Sequence, residues 1–552
     1  MDPTTINDRS YYLPSSVSEI QELITIARQQ KKQIRVCGSL HSVSAAIYPD
    51  QNTAGGDSIN VILAKMKQVQ IDTNKNIVTV DAGCHLGYDP FDIVASGPMD
   101  IIQYASTWEN SLFKQLYDAH YAVPDMGGIT HQTVGGFLST GSSGGSTQYS
   151  FNESLLSITF VPADEDNPQP VTVSLNDENK DLFYALGVSM GLLGIIVSAT
   201  FSLIPTFNII GSETITSIAD ASVDITGTGV VGKMSMRDFL TQTEYARILW
   251  YPQPGVARST VWQARRMQPG EPFHLKPYEE LPKIAGSELP AELAADLVYS
   301  TIGRWPNWLG DIIGTNSVMY QKITDYINNN FNTISSGLAI FPQILNLFVA
   351  LDSQDNGNFK SQQFQDYWYS SLPMDNNISD KLFPVEFTEL WIPFDINDPT
   401  DSVNQVLRAL NDLFNTMYAN SSGPIPAGAF CTELYAAKKS AFWMSPAYNT
   451  DVFRVDVFWF GNNIGSPADE FYPLFWKALQ PFKFRCHWGK YLPSPNSDQG
   501  ANYLSEQFPK WKEFMELREK YDPLQIFLSD YWRQHLGIKQ SIEQPASLQA
   551  TI

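Results

Sequence analysis

An uncharged stretch runs from Leu182 to Ser212, and a segment this apolar has to be buried in protein or in a membrane. Its 31 residues are long enough for a membrane-spanning helix. However, glycines at positions 187, 191 and 194 interrupt the stretch, and Pro205 stops it. Glycine and proline within an apolar run favour turns over a continuous helix. We therefore predict a helix end, a glycine turn and a buried strand inside a globular domain, and no membrane span.

The sequence before this stretch alternates between helices and short strands. Ser16 and Glu19 form an S-x-x-E capping box, and apolar residues then follow at helical spacing as far as the basic run "RQQKK". Four strands are predicted next, over "QIRV", "INVIL" (59–63), "KQVQID" (67–72) and "NIVTVDAG" (76–83). This alternation predicts an α+β or α/β sandwich up to about residue 205.

The pattern changes beyond residue 205. Strand-like segments, "YARILWYP", "FTELWIP" and "VFRVDVFWF", surround a region from about 253 to 380 that is rich in tryptophan, proline and amphipathic helices. Within that region, residues 315–331 have a helical pattern, and the apolar run 336–351 either belongs to a core or lines a pocket. We expect a second domain from 206 to 480.

Composition excludes several classes of partner. The chain of 552 residues carries 36 basic and 58 acidic residues, a net charge of −22, which repels nucleic acids and anionic membrane surfaces. Its four cysteines lack metal-ligand spacing and are too few for a disulfide scaffold. No leader is visible in "MDPTTINDRS". These features predict a cytoplasmic protein that binds neither nucleic acid nor membrane; they say nothing about its oligomeric state.

Two glycine-rich segments are candidate nucleotide-binding loops. The segment "GGFLSTGSSGGS" (135–146) offers backbone N–H groups and hydroxyls that suit a pyrophosphate, although, taken alone, a structural turn explains it better. The segment "GTGVVG" (227–232) matches G-x-G-x-x-G. The strand after it ends in aromatic and proline residues instead of the acidic residue that a dinucleotide site needs. We interpret this second segment as a chance match.

Titratable residues of the chain suggest chemistry at three places. His41 follows a glycine turn in "RVCGSLHS", Glu433 lies among apolar neighbours in "FCTELYAA", and "RCHWGK" groups Arg485, His487 and Lys490. A buried carboxyl group is either paired or has a raised pKa, and both states suit proton transfer. A satisfied structural role is the alternative for each residue. No pair of the seven histidines has metal-ligand spacing, so no metal site is predicted.

Three separated blocks resemble the FAD-linked oxidases of the vanillyl-alcohol oxidase/PCMH-type superfamily, nearest to the sugar-lactone and alditol oxidases with type II cholesterol oxidase. The first block, "RVCGSLHSVSA", matches R-x-x-G-x-x-H-S. In that family this histidine is bonded to the 8α-methyl group of the flavin. The resemblance therefore implies that His41 carries covalent FAD.

The second block runs from "VDAGCHLGYD" through the first glycine segment to "DLFYALGVSMGLLGIIVSATFSLIP". Ser143 stands where many relatives have histidine, and no cysteine occurs near Thr130 and His131, so a single covalent link is expected. The resemblance implies that these residues contact the cofactor: Arg35, Gly38, Ser39, Leu40, His41, Ser42, Gly135, Gly136, Ser139, Thr140, Gly141, Ser143, Gly144, Gly194, Ile195, Ile196, His487 and Lys490.

The third block, "RCHWGKYL" followed by "FPKWKEFMELREKYDPLQIFLSDYW", resembles the C-terminal segment of sugar-lactone oxidases. Together the blocks imply an α+β protein. A PCMH-type FAD-binding domain of two α/β subdomains would occupy 1–205. A substrate-binding cap domain with a large antiparallel sheet flanked by helices would occupy 206–480, with the insert at about 253–380. Residues 481–552 would return to the FAD domain.

The sequence departs from these relatives at the substrate site. They carry E-x-R where this chain has Glu433 and Tyr435, and those that oxidise polyols have histidine and threonine where it has Asp456 and Phe458. These changes, with the long aromatic insert, favour a bulky, hydrophobic, sterol-like alcohol over a simple polyol.

The expected activity is that of an FAD-dependent alcohol oxidase, in which a CH–OH group gives a hydride to the flavin and dioxygen is reduced to hydrogen peroxide. Glu433 and Tyr435 would bind the hydroxyl and manage its proton, and Asp456 would orient substrate. Lys490 would stabilise negative charge on the reduced flavin. Alternatives are a flavin dehydrogenase with another electron acceptor, a sugar-lactone or alditol oxidase, and a non-catalytic binding protein on the same fold.

Overall fold

The computed structural model describes residues 1–50, 58–279, 346, 349, 351, 359–374, 385–395, 402–419, 429–460 and 466–539. The helix predicted over 315–331 lies outside the described residues, as does most of the apolar run 336–351. The FAD domain, the cap domain and their bounds therefore stay predictions, and the elements below are those of the described residues.

The strands are numbered in chain order. They are β1 (Thr4–Ile6), β2 (Arg9–Tyr11), β3 (Ile34–Cys37), β4 (Ile59–Ile62), β5 (Val69–Asp72), β6 (Ile77–Asp81), β7 (Tyr121–Ala122), β8 (Leu155–Val161), β9 (Val171–Ser174), β10 (Ile195–Ser202), β11 (Ile204–Pro205), β12 (Asn208–Ser217), β13 (Val223–Asp224), β14 (Met234–Ser235), β15 (Tyr245–Tyr251), β16 (Arg258–Arg266), β17 (Phe359–Tyr367), β18 (Val385–Pro393), β19 (Ala429–Ala437), β20 (Val452–Phe460) and β21 (Arg485–Cys486).

The α-helices are numbered in the same way. They are α1 (Val17–Gln30), α2 (Ser44–Ile47), α3 (Leu112–Asp118), α4 (Val134–Thr140), α5 (Asp181–Leu186), α6 (Met236–Gln242), α7 (Trp368–Ser371), α8 (Ser402–Tyr418), α9 (Pro467–Glu470), α10 (Tyr472–Leu479), α11 (Ala501–Gln507), α12 (Trp511–Tyr521) and α13 (Asp530–His535). Single 3₁₀ turns occupy Ile93–Ser96, Ile102–Tyr104, Asn152–Ser154 and Gln480–Phe482.

The uncharged stretch forms the elements predicted for it. Helix α5 ends at Leu186, and a turn with Gly191 at φ 69° leads into β10, the central strand of an antiparallel sheet of order β5-β6-β10-β8-β9. A Cβ atom on Gly194 would lie 2.6 Å from the carbonyl oxygen of Val161, so only glycine fits there. Within the described part of the chain, no helix is long and apolar enough to cross a bilayer.

The predicted capping box forms in part. Ser16 caps α1, because its Oγ accepts a hydrogen bond from the backbone N–H of Glu19 at 3.3 Å. The carboxylate of Glu19 accepts from the backbone N–H of Ser15, not from that of Ser16. The four strands predicted next correspond to β3–β6, of which β3 and β4 form a separate parallel pair.

A second antiparallel sheet contains eight strands in the order β17-β12-β16-β15-β19-β20-β18-β21. The segments "YARILWYP", "FTELWIP" and "VFRVDVFWF" are β15, β18 and β20, as predicted. The region 253–380 contributes strands at both of its ends, β16 and β17, where the sequence suggested helices. Helix α8 lies in the second half of the chain and buries Val406, Leu407 and Leu410.

The C-terminal segment contacts both parts of the molecule. Strand β21 pairs with β18 at the edge of the eight-stranded sheet. Farther along, the backbone N–H of Ile34 donates to the carbonyl of Ile526, and the Trp532 indole donates to the carbonyl of Ala46, at 2.9 and 2.8 Å. The last third of the chain is thus tied to the elements around β3.

The two glycine-rich segments differ in structure. Residues 134–140, expected to be part of a loop, form helix α4, because the Thr133 hydroxyl accepts from the N–H of Gly136 and Gly141 ends the helix at φ 76°. The segment 227–232 is a turn between β13 and β14, where the Asp224 carboxylate accepts from the N–H of Gly229 at 2.7 Å. Its interpretation as a chance match agrees with this position.

Candidate active site

A cavity of about 790 Å³ lies between the His41 loop, helix α4 and one side of the eight-stranded sheet. Cofactor and ligand pockets typically measure roughly 300–1,000 Å³. The part near His41 is lined by glycines and hydroxyl-bearing residues, whereas the part near the sheet is lined by carboxyl groups, arginines and aromatic rings. The two parts are thus chemically distinct.

His41 follows β3 and a turn in which Leu40 adopts φ 63°, a conformation rare for non-glycine residues. Its Nε2 lies 2.5 Å from Nδ1 of His131 and 3.0 Å from the carbonyl oxygen of His131. A carbonyl oxygen only accepts hydrogen bonds, so the proton of His41 lies on Nε2 and Nδ1 carries the lone pair. Burial, with the nearby charges of His131 and Lys490, lowers the pKa of His41 to about 3, which keeps this imidazole neutral.

The glycine of the His41 loop has a packing role. A Cβ atom on Gly38 would lie 2.6 Å from Oγ1 of Thr133, the residue that caps helix α4. Gly38 therefore allows the His41 loop to pack closely against the N-terminus of helix α4. Gly38, expected to contact the cofactor, also lines the cavity.

Two histidines and a carboxylate come together beside the cavity. Potential metal-ligand atoms of His41, Asp89 and His131 lie within 4.8 Å of one another. Two nitrogens bound tetrahedrally to zinc at 2.0–2.1 Å would be about 3.3 Å apart. The 2.5 Å between the two imidazole nitrogens is the distance of a hydrogen bond, so the geometry favours a proton-sharing pair.

Most residues expected at the cofactor line this cavity. They are Arg35, Gly38, Ser39, Leu40, His41, Ser42, Gly135, Gly136, Ser139, Thr140, Ser143, Gly194, Ile195, Ile196, His487 and Lys490. Gly141 and Gly144 do not line it. Gly141 ends helix α4, and a Cβ on Gly144 would lie 2.2 Å from Oδ1 of Asp125. Those two glycines are needed for packing, which the motif alone did not reveal.

Arg35 holds the walls of the cavity together. Its guanidinium donates to the carbonyl oxygens of Phe527, Ala46 and Met190 at 2.8–3.0 Å, and its side chain is buried. These three carbonyls belong to distant parts of the chain. Arg35 therefore supports the site through the backbone.

The part of the cavity near His41 fits a flavin nucleotide. Gly135 and Gly136 present a wall without side chains, and Oγ of Ser39 is buried with no hydrogen-bond partner among the described residues. Backbone groups and hydroxyls of this kind suit a pyrophosphate and a ribityl chain. The neutral His41 adds a nucleophilic nitrogen at one end.

The strand register builds the opposite wall in two rows. Pairing of β15, β19, β20 and β18 aligns Arg247, Tyr435, Arg454 and Trp391 in one row. The next row, two residues along each strand, contains Leu249, Glu433, Asp456 and Glu389. Residues two apart on a strand point to the same side of the sheet, and all eight except Trp391 line the cavity.

Arg454 is a site residue that the sequence analysis did not identify. Its guanidinium lies between the rings of Tyr435 and Trp391, with its carbon 3.9 and 4.2 Å from their centres. Its Nη2 donates to Oε2 of Glu389 at 2.9 Å and to Oδ2 of Asp456 at 3.3 Å. The alternation in "FRVDVF" put Arg454 on the same side of the strand as Asp456, which was a usable signal.

The carboxyl groups of this wall do not all ionise together. Burial raises the pKa of Glu433 to about 7, against the attraction of Arg247 and Arg454. Burial and the charge of Glu389 raise the pKa of Asp456 well above its usual value, and Asp456 accepts a 2.6 Å hydrogen bond from the Tyr435 hydroxyl. Burial also opposes ionisation of Glu389, but His487 and Arg454 outweigh it and lower its pKa. Glu389 is therefore the ionised partner of Arg454.

A small second cavity of about 20 Å³ lies behind this wall, lined among others by Asp125, Arg247 and Glu433. Each has one buried atom without a hydrogen-bond partner among the described residues: Oδ2 of Asp125, Nη2 of Arg247 and Oε1 of Glu433. A cavity of roughly 10–15 Å³ or more can hold one water molecule. One water would satisfy groups that the protein leaves unpaired.

Lys490 and His487 lie where the two parts of the cavity meet. Nζ of Lys490 is 3.5 Å from the carbonyl oxygen of His41 and 3.9 Å above the Phe387 ring. Burial, opposed by Glu389, lowers the pKa of His487 to about 4, and its Nδ1 accepts from the N–H of Gly489 at 3.1 Å. Lys490 is thus the cationic group beside the His41 loop.

Comparison with known proteins agrees with this geometry. Residues 377–535 match the family model for D-arabinono-1,4-lactone oxidase, and residues 9–88 match that for an FAD binding domain. Mouse L-gulonolactone oxidase is 21% identical over 94% of this chain and 93% of its own length. D-arabinono-1,4-lactone oxidase from Eremothecium gossypii is 23% identical, over 95% and 91%.

Solved structures with the same fold include cholesterol oxidase from Brevibacterium sterolicum, with a TM-score of 0.64 at 14% identity, covering 96% of this chain and 94% of that one. Glucooligosaccharide oxidase from Acremonium strictum, a protein with 6-S-cysteinyl, 8α-N1-histidyl FAD, has a TM-score of 0.56 at 15% identity, covering 95% and 93%. At such identities the likeness concerns the fold, and the predicted α+β PCMH-type architecture is confirmed.

Fold, site and matches together define an FAD-dependent oxidoreductase, and FAD is confirmed as its cofactor. The resemblance to the PCMH-type FAD-linked oxidases, in the branch that contains the sugar-lactone oxidases, is also confirmed. The preference for a sterol-like substrate has no support among the curated relatives, whose names are those of sugar-lactone oxidases, the class first treated as an alternative.

Proposed function

We propose that this protein is an oxidase of a sugar lactone or a closely related polyhydroxylated compound, with FAD bound covalently at His41 and hydrogen peroxide as second product. The observation that carries the proposal is the two-row polar wall, in which Arg454 and Arg247 flank Glu433, Asp456 and Tyr435. So many buried charged and hydroxyl groups suit a ligand with several hydroxyls. An apolar ligand would cover these protein groups without forming hydrogen bonds to them.

Attachment at His41 is supported by its tautomer. Nε2 is engaged by His131, which leaves the lone pair of Nδ1 available for a bond to the cofactor. The neutral state of this imidazole at physiological pH also favours nucleophilic attack. Gly135, Gly136, Ser39 and Thr140 would hold the remainder of the cofactor along α4.

Bound FAD supplies the acceptor for the hydride of the substrate CH–OH group. The chain has to take up the hydroxyl proton. Ionised Glu433 is suited to this role, because a pKa of about 7 makes it both available and basic near neutral pH. The Tyr435 hydroxyl, held by Asp456 at 2.6 Å, would orient the oxygen atom. Lys490 would contribute positive charge on the cofactor side.

Tyr435 does not remove the guanidinium from the site. Relatives carry the arginine on the strand of β19, whereas this chain provides Arg454 from β20, directly opposite Tyr435. The wall therefore keeps a cation next to the catalytic carboxyl group. The apolar residues Ile215, Leu249, Phe430 and Phe458 also line the substrate part and would limit ligand size.

A substrate screen tests the proposal. Purified protein under air would be given sugar-1,4-lactones, alditols, simple hydrophobic secondary alcohols and a sterol, with peroxide and dioxygen measured together. We expect peroxide formation with a lactone or alditol at one peroxide per dioxygen consumed. Turnover of the sterol alone would contradict the substrate class, and flavin reduction by substrate without dioxygen consumption would identify a dehydrogenase.

A further inference from the structure

We propose that His131 is the base for cofactor attachment: it accepts the Nε2 proton of His41 as Nδ1 of His41 bonds to the flavin, and Asp89 stabilises the resulting charge. This inference rests on the attachment at His41 proposed above and adds residues to it. His131 entered the sequence analysis only as a position that lacks cysteine.

The contact between the two imidazoles carries the first step. Nδ1 of His131 is 2.5 Å from Nε2 of His41, and the proton between them belongs to His41, because the carbonyl oxygen of His131 lies on the same nitrogen at 3.0 Å. Nδ1 of His131 is therefore the acceptor. When Nδ1 of His41 forms a bond, the ring becomes cationic and its Nε2 proton is the one to leave.

Asp89 provides the matching negative charge. Its Oδ1 accepts from the backbone N–H of Phe91 at 2.8 Å, and its Oδ2 lies 3.3 Å from Nε2 of His85. Burial opposes ionisation of Asp89, but the hydrogen bond and charge of His85 outweigh it and lower its pKa, so Asp89 is a carboxylate. A carboxylate oxygen of Asp89 lies within 4.8 Å of a ring nitrogen of His41 and of His131. Its negative charge therefore stabilises a positive charge on either imidazole of the pair.

The surroundings keep the proton within the pair. The Phe91 ring contacts both imidazoles, with ring centres 6.3 Å from His41 and 5.6 Å from His131. Asp89 and His131 are each 2% exposed. Nζ of Lys490 lies 3.5 Å from the carbonyl oxygen of His41. A cationic ammonium is no acceptor for the proton.

The step balances with dioxygen as oxidant. One C–H bond of the 8α-methyl group and the N–H bond of His41 break, and one bond forms between that carbon and Nδ1. The two hydrogens, as protons with two electrons, leave by way of the flavin to dioxygen, which becomes hydrogen peroxide. His131 takes up the imidazole proton first and then releases it.

The test measures attachment, independently of turnover. His131→Phe keeps an aromatic ring against Phe91 but removes both nitrogens. Full-length protein made under flavin limitation would be incubated with FAD in air. Bound FAD would be read from visible absorbance, and the covalent part from flavin retained after acid precipitation. We expect the variant to bind FAD while its attachment rate falls by roughly 10²–10⁴-fold, the typical contribution of a positioned base.

Two further variants separate a proton-accepting role from a packing role. Imidazole in the buffer should restore attachment in His131→Ala, and Asp89→Asn should slow attachment several-fold with FAD still bound. His535→Phe, at a buried histidine on α13 that contacts Tyr531, is the control and should attach FAD at the parent rate. If His131→Phe does not retain FAD, the rate of covalent attachment in Asp89→Asn decides whether the proposed proton transfer holds.

The outcomes distinguish this inference from the proposed function. Parent protein that releases all its flavin into acid would contradict attachment at His41 itself. Parent protein with covalent flavin, together with unchanged attachment rates in His131→Phe and Asp89→Asn, would overturn only the role of His131 and Asp89. Slowed attachment that imidazole does not restore would assign His131 to packing and would likewise overturn the proposal.

Discussion

The guanidinium carbon of Arg454 lies 3.9 Å from the centre of the Tyr435 ring, and the two residues are direct partners across β19 and β20. From the sequence of β19 alone, Tyr435 suggested a less polar site, because relatives were expected to carry arginine at this position. The register shows that the cation lies on the neighbouring strand, where it also pairs with Glu389 and Asp456. The wall of this chain thus contains a cation directly beside Tyr435.

Replacement of Arg454 by methionine should destabilise the protein strongly. The substitution leaves the carboxylate of Glu389 buried without its cation, and breaking a buried ion pair from one side costs roughly 3–5 kcal/mol. The free energy of unfolding in urea would measure this. Arg265→Met, which breaks a partly exposed pair with Glu271, is the control and should cost about 1 kcal/mol or less. An equal decrease in the free energy of unfolding in both variants would contradict the stabilising role assigned to the pair of Arg454 and Glu389.

Replacement of Glu433 by glutamine should slow flavin reduction while FAD stays attached. The amide keeps the shape but accepts no proton, and loss of a general base typically costs roughly 10²–10⁴-fold. Stopped-flow absorbance under anaerobic conditions with the substrate found in the screen would measure the rate. Glu22→Gln, at an exposed position of α1, should reduce at the parent rate. A Glu433→Gln protein that reduces as fast as the parent would remove this residue from the mechanism.

The pH dependence of the same rate has a defined sign. Since the base must be ionised and burial raises its pKa to about 7, reduction in the parent should slow as pH falls through about 7 and level off above it. Glu433→Gln should lose this dependence. A parent rate that is flat from pH 5.5 to 8.5 would show that no group of this pKa limits the step.

Replacement of His41 by alanine should abolish covalent attachment. The variant lacks the nitrogen that bonds to the cofactor, so acid precipitation should release all flavin into the supernatant, whereas the parent should give a yellow pellet. Mass spectrometry should show the bare polypeptide for the variant. His274→Ala, at an exposed histidine on another part of the chain, should keep the cofactor.

Local signals predicted much of this fold. Glycines at 187, 191 and 194 placed the turn before β10, and Ser16 placed the start of α1, because backbone conformation and capping depend on neighbouring residues. Glycine content misled for 135–146, since the cap from Thr133 outweighs the low helix propensity of two glycines and makes α4 a helix.

The site was predictable only in part, because its chemistry depends on strand register. Glu433 was found from its apolar neighbours, but its relation to Arg454 follows from the pairing of β19 with β20, and that to Arg247 from the pairing of β15 with β19. The His41–His131 contact joins positions 90 residues apart. No single-sequence signal measures such distances, so these partners required the structure.

Asp125 should make the stability of the protein fall as pH rises. Burial raises its pKa from an ordinary value near 4 to about 8, against the hydrogen bond from Met126 and the charges of Arg266 and Arg454. Between these two pH values the unfolded chain has lost this proton and the folded chain retains it, so the group alone costs up to about 1.4 kcal/mol of unfolding free energy per pH unit. Asp125→Asn has no such dependence, and other titrating groups cancel in the comparison with the parent.

The melting temperature of the variant, relative to the parent, should therefore increase steadily from pH 5 to pH 8 in a series of thermal scans. Asp164→Asn, at an exposed position, should show a constant difference over the same range. A constant difference for Asp125→Asn as well would mean that this buried carboxyl group is ionised throughout, with Arg266 and Arg454 as the charges that stabilise it.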